Sequence, residues 1–320
     1  MNHARLGRTG LQVSRLCLGT MTFGLQSDEA TAAAILDRAA EGGIDFLDTS
    51  DAYPLGGDLT TRGVTEEILG RWLHGKRDRF IVATKCFAPT GPAPFDAGNS
   101  RQHILAAVEA SLRRLQTDYI DLYQSHHDDE TVPQAETMGI YAELIAAGKV
   151  RTIGASNFTA ERLQSALEVS RQQNLPRYET LQPEYNLYDR GGYEYSLEAI
   201  CVEHGLGVIP YFSLASGFLS GKYRSAEDAA SRPRAGMLKK YFNERGMRIL
   251  ESLREVASEL KATPAQVALA WLMARPSITA PIASATTVAQ LHELVEATRL
   301  ELPQEAIDKL NQASAEAVAA

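Results

Sequence analysis

Four residues at the ends of apolar runs carry side chains suited to acid–base chemistry. Asp48 and Tyr53 lie in the stretch "DTSDAY", Lys85 ends the later stretch "ATK", and His126 ends "IDLYQSH". Asp48 and Lys85 are 37 positions apart, and Lys85 and His126 are 41 positions apart. Each interval is about one strand-and-helix unit, so the spacing predicts that the four side chains meet at one end of a sheet.

Tyr53 needs a neighbour if it is to move a proton near neutral pH. A free phenol has a pKa of about 10, and a nearby cation favours the phenolate. Lys85 is the candidate cation, Asp48 the candidate carboxylate that holds the ammonium in place, and His126 a candidate donor to a substrate oxygen. The remaining carboxylate of the stretch, Asp51, is interpreted as a solvated loop residue.

Other readings of the same residues stay open. Lys85 can be a structural ion-pair partner or, because burial lowers a lysine pKa, a Schiff-base nucleophile as in aldolases. His126, His127, Asp128 and Asp129 suggest a metal site, but adjacent strand residues point to opposite faces and cannot all face one ion. We therefore predict no metal.

Composition limits the classes of protein to consider. The chain has 320 residues, of which 44% are apolar and 22% charged, and its net charge is −8 without long like-charge blocks. This favours a globular protein over a nucleic-acid or membrane-surface binder. The start lacks an apolar signal region, no apolar run approaches about 18 residues, and Cys17, Cys86 and Cys201 form no CxxC pair. We expect a cytoplasmic protein with reduced, mostly buried thiols.

The elements that must position these side chains alternate along the chain. Eight candidate strands begin near residues 16, 44, 79, 119, 150, 180, 206 and 278. Apolar residues at helical spacing recur between them: Ile104, Val108, Leu112 and Leu115; Leu163, Ala166 and Leu167; Leu291, Leu294 and Val295. Pro133, Pro264 and Pro303 suit first helical turns, and Thr263 suits an N-cap. No linker divides the chain, so we predict one domain, residues 1–320, folded as a (β/α)8 TIM barrel after a short hairpin.

Seven motifs together resemble those of the aldo-keto reductases, in that family's order and over nearly the whole chain. They are "LGTMTFG" (18–24), "DTSDAY" (48–53), "ATK" (83–85), "IDLYQSH" (120–126), "GASNF" (154–158), "QPEYN" (182–186) and "PYFSLASGFLSGKY" (210–223). The resemblance implies an oxidoreductase in which Tyr53 protonates the alkoxide left by hydride transfer from a nicotinamide, assisted by Lys85, Asp48 and His126.

No GxGxxG follows the first strand, so a Rossmann site for the cofactor is not indicated. The cofactor contacts are implied by the resemblance instead. Ser156, Asn157 and Gln182 would bind the carboxamide, and Tyr211 would stack on the ring; the alternative for Ser156 and Asn157 is a helix N-cap. The remaining cofactor-binding candidates are Gly19, Thr20, Met21 and Asp48, together with Ser213, Leu214, Gly217, Leu219 and Ser220, which match the family's cofactor-covering stretch. Residues 213–245 lack strong periodicity and are interpreted as a covering loop, in which Lys222 and Arg232 belong to a basic group suited to pyrophosphate.

One motif departs from the family. Ser284, Ala285 and Thr286 stand where many relatives have a basic residue against the 2′-phosphate of NADPH. Hydroxyls at a helix N-terminus still bind phosphate, so NADP(H) is expected by resemblance and NAD(H) is possible. Gln290 and Glu293 fall where adenine or ribose contacts are expected.

The sequence as a whole predicts an enzyme that reduces a small-molecule carbonyl, an aldehyde or ketone, to an alcohol. Met21, Phe23, Leu55, Phe87 and His127 are the candidate substrate pocket. Two alternatives remain: a nicotinamide-sensing binding module of the same fold, similar to channel subunits, and a lyase that uses Lys85.

Overall fold

The structure is a computed structural model that describes residues 1–223, 225, 228 and 235–316. The chain opens with an antiparallel hairpin, as predicted. Strand β1 (His3–Arg5) pairs with β2 (Gln12–Ser14), with Ala4 opposite Val13. Leu6 and Val13 pack against Phe46, Ala83 and other residues of the sheet described next. The hairpin therefore covers one end of that sheet.

Eight parallel strands form the central sheet, and all eight predicted strand regions contribute one. They are β3 (Cys17–Gly19), β4 (Phe46–Asp48), β5 (Ile81–Cys86), β6 (Ile120–Ser125), β7 (Val150–Ser156), β8 (Thr180–Gln182), β9 (Gly207–Val208) and β10 (Ile282–Ala283). Their order in the sheet follows the chain from β3 to β9, and β10 pairs with β3.

The two edges of this sheet meet. Val208 of β9 bridges in parallel to Ile278. The backbone N–H of Thr279 donates to Val208 O at 2.8 Å, and that of Ile282 donates to Pro210 O at 2.8 Å. These bonds leave no open edge between β9 and the segment that leads into β10, so the strands close into the predicted (β/α)8 barrel.

Helices surround the barrel and cover its outer face. In the described part of the chain they are α1 (Glu29–Glu41), α2 (Val64–Leu73), α3 (Arg101–Leu115), α4 (Gln134–Ala146), α5 (Ala160–Gln173), α6 (Gly191–Glu194), α7 (Leu197–His204), α8 (Ala235–Leu238), α9 (Glu244–Glu259), α10 (Pro264–Ala274), α11 (Val288–Ala297) and α12 (Gln304–Ser314). Short 3-10 turns occupy Arg77–Arg79, Ala215–Ser220 and Lys239–Tyr241. None of these helices is long and apolar enough to cross a membrane.

The predicted apolar faces form the contact between helices and sheet. All the residues named for the helices now called α3, α5 and α11 are buried. Thr263 caps α10 by accepting from the N–H of Gln266, whose side chain accepts from the N–H of Thr263 in return. Pro264 occupies the first turn of α10 as predicted, whereas Pro133 and Pro303 lie one position earlier, at the N-caps of α4 and α12.

The side chains that point into the barrel are apolar at one end of its interior and polar at the other. Phe46, Ala83 and Leu122 belong to the apolar cluster next to the hairpin. Two residues further along the same strands come Asp48, Lys85 and Gln124. Successive side chains of a strand point to opposite faces, so residues two apart share a face. The polar side chains therefore meet at the C-terminal end of the strands, opposite the hairpin.

Candidate active site

Lys85 and Asp48 form a buried ion pair where β4 and β5 end. The Nζ of Lys85 lies 2.6 Å from Asp48 Oδ1, and the Lys85 side chain is fully buried. The ammonium also donates to the backbone oxygen of Thr49 at 2.8 Å and to the hydroxyl of Tyr53 at 3.4 Å. Burial alone lowers the pKa of Lys85, but Asp48 and then Tyr53 outweigh it and raise that pKa. All three N–H groups have acceptors, which suits an ammonium.

Two glutamines fix the other oxygen of Asp48. Gln182 Nε2 donates to Asp48 Oδ2 at 2.9 Å, and Gln124 Nε2 donates to the same atom at 3.3 Å. A buried carboxylate is stable only when its oxygens are paired or hydrogen-bonded. These bonds hold Asp48, and through it Lys85, in one position.

Tyr53 lies beside this pair at the floor of a cavity. Its pKa is raised above the usual value, first because the phenol is buried; Lys85 acts in the opposite direction, and Asp48 raises the pKa further. The sequence predicted that Lys85 would favour the phenolate, and it does lower the Tyr53 pKa, but burial exceeds that effect. The residue is therefore a protonated phenol at neutral pH.

His126 follows β6 and faces the same space. Its ring meets the Tyr53 ring edge to face, with 6.2 Å between centroids, and stacks on the His127 ring. Burial, the Lys85 charge and His127 hold the His126 pKa well below its usual value, so the imidazole is neutral at pH 7. Its Nδ1 lies 3.3 Å from Ser50 Oγ. Ser50 is thus the tautomer partner that the sequence did not identify.

The prediction for Asp51 was wrong. Asp51 is fully buried rather than solvated, and its Oδ2 has no hydrogen-bond partner among the described residues. Burial and the nearby Glu66 carboxylate raise the pKa of Asp51 to about 8, against the opposing effect of Arg114. Glu66 of α2 and Arg114 of α3 both lie close to this carboxyl.

A cavity of about 1480 Å³ opens above Tyr53 and His126. Most of the predicted cofactor residues line it: Gly19, Met21, Asp48, Ser156, Asn157, Gln182, Tyr211, Ser213, Leu214, Gly217, Ser220, Lys222, Ser284, Thr286, Gln290 and Glu293. This volume exceeds the roughly 300–1,000 Å³ of pockets for drug-sized ligands, which suits a longer, two-part ligand.

Amide and hydroxyl groups cluster on the cavity wall beside Tyr53. Asn157 Nδ2 donates to the backbone oxygen of His126 at 2.9 Å, and Tyr211 OH donates to Asn157 Oδ1 at 2.7 Å. Ser156 Oγ donates to the backbone oxygen of Gln182 at 2.9 Å. Neither Ser156 nor Asn157 is a helix cap, because Thr159 caps α5. The bonds fix this wall and leave the Tyr211 ring half-buried on the cavity surface.

The far end of the cavity is more exposed. The backbone N–H and hydroxyl of Thr286 both donate to Gln290 Oε1, at 2.9 and 3.0 Å. Thr287 caps α11 by accepting from the Gln290 N–H. Glu293, on the next turn of α11, brings a carboxylate to this end. No lysine or arginine of the segment 284–293 balances it.

Some predicted residues lie elsewhere. Thr20 and Leu219 are fully buried and do not line the cavity; the Thr20 hydroxyl donates to the backbone oxygen of Asp48 at 2.9 Å, and Leu219 packs in the apolar core. Phe23 is likewise a core residue rather than a pocket residue, whereas Met21, Leu55 and His127 line the cavity. Phe87 packs against His127, 5.2 Å between ring centroids. Arg232 lies outside the described residues.

The predicted covering loop supplies much of one cavity wall. Ser213, Leu214, Gly217, Ser220 and Lys222 face the cavity around the 3-10 turn. The part of the loop that the structure describes also contains Lys240, which pairs with Glu184 and Asp189 instead of facing the cavity.

The metal alternative has no support in the ligand geometry. Asp128 forms an ion pair with Arg162, and Asp129 accepts from the hydroxyl of Thr131 at 2.6 Å. Across residues 1–223, 225, 228 and 235–316, no three His, Cys, Asp or Glu side chains are grouped to hold a metal ion. The three cysteines are free and buried.

Comparison with known proteins gives long matches. A sequence model described as "Aldo/keto reductase family" matches residues 15–315. The chain is 38% identical to "Uncharacterized oxidoreductase YrpG" of Bacillus subtilis (strain 168), over 97% of this chain and 95% of that protein. It is 34% identical to "Probable voltage-gated potassium channel subunit beta" of Oryza sativa subsp. japonica, over 97% and 95%. It is 32% identical to "L-glyceraldehyde 3-phosphate reductase" of Escherichia coli (strain K12), over 93% and 87%.

Proposed function

We propose that this chain, which belongs to the aldo/keto reductase family, reduces an aldehyde or ketone to an alcohol with NADPH and, less efficiently, with NADH. One observation carries the proposal: a fully buried ammonium, Lys85, bonds at once to Asp48 and to the phenol of Tyr53 on the floor of a large cavity. An acid is placed where a substrate oxygen can reach it.

The donor groups of the cavity suit a nicotinamide cofactor. Ser156, Asn157 and Gln182 line the cavity, where the amide oxygens of Asn157 and Gln182 suit the N–H groups of a carboxamide, and the Tyr211 ring lies beside them for stacking. At the far end, the hydroxyls of Ser284 and Thr286 and the start of α11 suit a phosphate. When bound, the nicotinamide supplies the hydride.

The protein's own residues supply the proton for the reduction and stabilise the charge that its transfer leaves. Tyr53 donates its phenolic proton to the carbonyl oxygen as negative charge develops there, and Lys85 stabilises the phenolate that remains. Asp48 keeps the ammonium next to Tyr53. His126, neutral and on the same wall, orients the oxygen through its Nε2–H. General acid catalysis of this kind typically contributes about 10²- to 10⁴-fold.

A lyase that uses Lys85 is less well supported. A Schiff-base lysine must be a free amine, but the pKa of Lys85 is raised by Asp48 and Tyr53 despite burial. Borohydride added with a carbonyl substrate should therefore leave the mass of the protein unchanged. A stable adduct at Lys85 would favour the lyase.

A cofactor-sensing binding module is the second candidate, because a relative carries the name of a channel subunit. Such a protein would bind NADPH and turn it over slowly. The complete set of Asp48, Tyr53, Lys85 and His126 supports the enzyme.

The deciding experiment is a spectrophotometric screen of NADPH oxidation over a panel of aldehydes and ketones. Arg62 lines the cavity, and a relative is named for a phosphorylated aldehyde, so the panel should include phosphorylated aldehydes beside neutral ones. Tight NADPH binding without oxidation by any carbonyl would favour the binding module.

The free, buried cysteines suit a reducing compartment, and we propose the cytoplasm as the location of this protein.

A further inference from the structure

A short hydrogen-bonded chain links the buried carboxyl of Asp51 to the imidazole of His126. Ser50 Oγ lies 3.2 Å from Asp51 Oδ1 and 3.3 Å from His126 Nδ1, and it accepts from the backbone N–H of Ala52 at 3.2 Å. Ser50 and Asp51 are fully buried. The mechanism proposed above uses neither of them.

The proton count of this chain allows two arrangements. A serine hydroxyl has one proton to donate and two lone pairs that accept. Ala52 N–H already occupies one lone pair. Of its other two neighbours, Asp51 and His126, one must therefore donate to Ser50 while the other accepts from it.

The protonation state of Asp51 decides between the arrangements. A neutral Asp51 donates to Ser50, Ser50 donates to His126 Nδ1, and the neutral imidazole carries its proton on Nε2. An ionised Asp51 only accepts, so Ser50 donates to it. His126 must then donate from Nδ1, and Nε2 has no proton.

We propose that Asp51 is a positioning residue that acts through Ser50 to hold His126 in the tautomer whose Nε2–H faces the substrate oxygen. The inference rests on the proposed reductase function, because it assigns the Nε2–H its use. The geometry supports it, since Nδ1 is the nitrogen turned to Ser50 and His126 lines the cavity.

The surroundings of both groups favour the neutral forms. The titratable and charged groups near Asp51 are Tyr53 in its own loop, Arg62 and Glu66 at α2, Cys86 on β5, Arg114 on α3 and Tyr123 on β6. The groups near His126 are Lys85, His127 and Tyr53. Arg114 is already paired with Glu66 at 2.7 Å, and Arg62 makes no hydrogen bond to Asp51. Within the part of the chain that the structure describes, no cation is therefore bonded to Asp51.

Titration of Asp51 is separable from that of the other groups. Burial and Glu66 raise the pKa of Asp51 to about 8. Tyr53 and Lys85 have pKa values raised above their usual values, which are already higher than that, and His126 stays neutral because its pKa is lowered. A change of His126 near pH 8 would therefore be a change of tautomer that follows Asp51.

The test is ¹⁵N NMR of the histidine rings in the full chain, which distinguishes the two neutral tautomers without any turnover. We expect His126 to carry its proton on Nε2 near pH 6 and to shift toward Nδ1 between about pH 7 and about pH 9. His127 makes no bond to Ser50 and serves as an internal control. A His126 tautomer that stays constant over this range would overturn the proposal.

Two variants test whether Asp51, acting through Ser50, causes the change of the His126 tautomer. Asp51→Asn keeps the size of the side chain, does not titrate and can donate an N–H to Ser50, so the Nε2–H tautomer should persist at all these pH values. Ser50→Ala breaks the link, so His126 should no longer follow Asp51. A pH-dependent tautomer that persists unchanged in either variant contradicts the proposal.

Kinetics and stability give independent readouts. In the wild type, kcat should fall about 10- to 100-fold across a limb near pH 8, and Asp51→Asn should remove that limb. Because the pKa of Asp51 rises from 3.8 in the unfolded chain to about 8 in the folded protein, the free energy of unfolding should also fall as pH rises from about 4 to about 8, and Asp51→Asn should remove this slope. A limb or slope retained in Asp51→Asn would argue against the role of Asp51. If no carbonyl is reduced but the tautomer follows Asp51, the proposed function fails while the link from Asp51 to His126 stands.

Discussion

The two ends of the cavity are built differently. At the floor, Asp48 and Lys85 are buried and every N–H of the ammonium has an acceptor. At the far end, Thr286 and Gln290 bond mainly to each other, and Glu293 is half-exposed without a nearby basic residue in the segment 284–293. One end is a fixed charge network, whereas the other is a partly solvated set of neutral groups and one carboxylate.

This difference determines how strongly a substitution at each end should change activity or cofactor affinity. Buried charges interact strongly, and removing one leaves its partner buried and unpaired, which lowers stability. Groups near solvent are screened, and single changes there typically shift affinity by small factors. We therefore expect changes at the floor to alter the chemistry and changes at the far end to alter only the choice of cofactor.

The largest effect is expected from Tyr53→Phe, which removes the acid and keeps the ring. The kcat should fall by about 10²- to 10⁴-fold, and the Kd of NADPH should change little, because Ser156, Asn157 and Gln182 on the cavity wall are untouched. Steady-state kinetics and fluorescence titration of the cofactor measure the two quantities. Turnover like that of the wild type would mean that another group supplies the proton.

Lys85→Met tests whether the floor acts as one charge network. The substitution leaves Asp48 buried without its partner, which typically costs about 3–5 kcal/mol of stability, and it removes the charge that lowers the Tyr53 pKa. We expect turnover to be lost and the free energy of unfolding to fall by that amount. The double variant Asp48→Asn/Lys85→Met should recover much of the stability without activity. Equal instability of both variants would show that the pair does not act through charge.

The sequence predicted the floor more completely than its surroundings. Strand ends and residue types were enough to bring Asp48, Lys85 and His126 together, because parallel strands end at the same edge of a barrel. The burial of Asp51 was missed, since its neighbours Glu66 and Arg114 come from helices further along the chain. The run of polar residues after β4 has the same sequence pattern whether the loop is exposed to solvent or covered by helices.

The other corrections have the same origin. Thr20, Phe23 and Leu219 follow the family motifs closely, yet their side chains turn into the core instead of the cavity. A motif gives the position of a residue along the chain, but the direction of its side chain within an irregular loop depends on packing. Ser50 gave a weak signal beforehand, as a hydroxyl two residues after a buried strand; only its distance to His126 gives it a role.

Thr286→Arg tests the far end, where an intermediate effect is expected. An arginine there should add a charge-assisted hydrogen bond to the 2′-phosphate that NADH cannot offer, worth about 1.5–3 kcal/mol, or roughly 10- to 100-fold in affinity. The ratio of kcat/KM for NADPH to that for NADH should rise, chiefly through the KM for NADPH. Thr286→Gln is the control for length without charge. An unchanged ratio would mean that position 286 does not face the phosphate.

Glu293→Gln should have the smallest effect and tests whether the far end contains a charge that opposes NADPH. Glu293 lines the cavity on α11 and is half-exposed, so its repulsion of a 2′-phosphate is screened. A contribution of about 0.2–1 kcal/mol corresponds to a gain of roughly 1.5- to 5-fold in preference for NADPH. The gain should shrink as ionic strength rises. Glu296→Gln is the matched control, because Glu296 lies on the same helix and pairs with Arg299 outside the cavity. Equal shifts in both variants would indicate a general effect of net charge, whereas a shift confined to Glu293→Gln would place the phosphate at this end of the cavity.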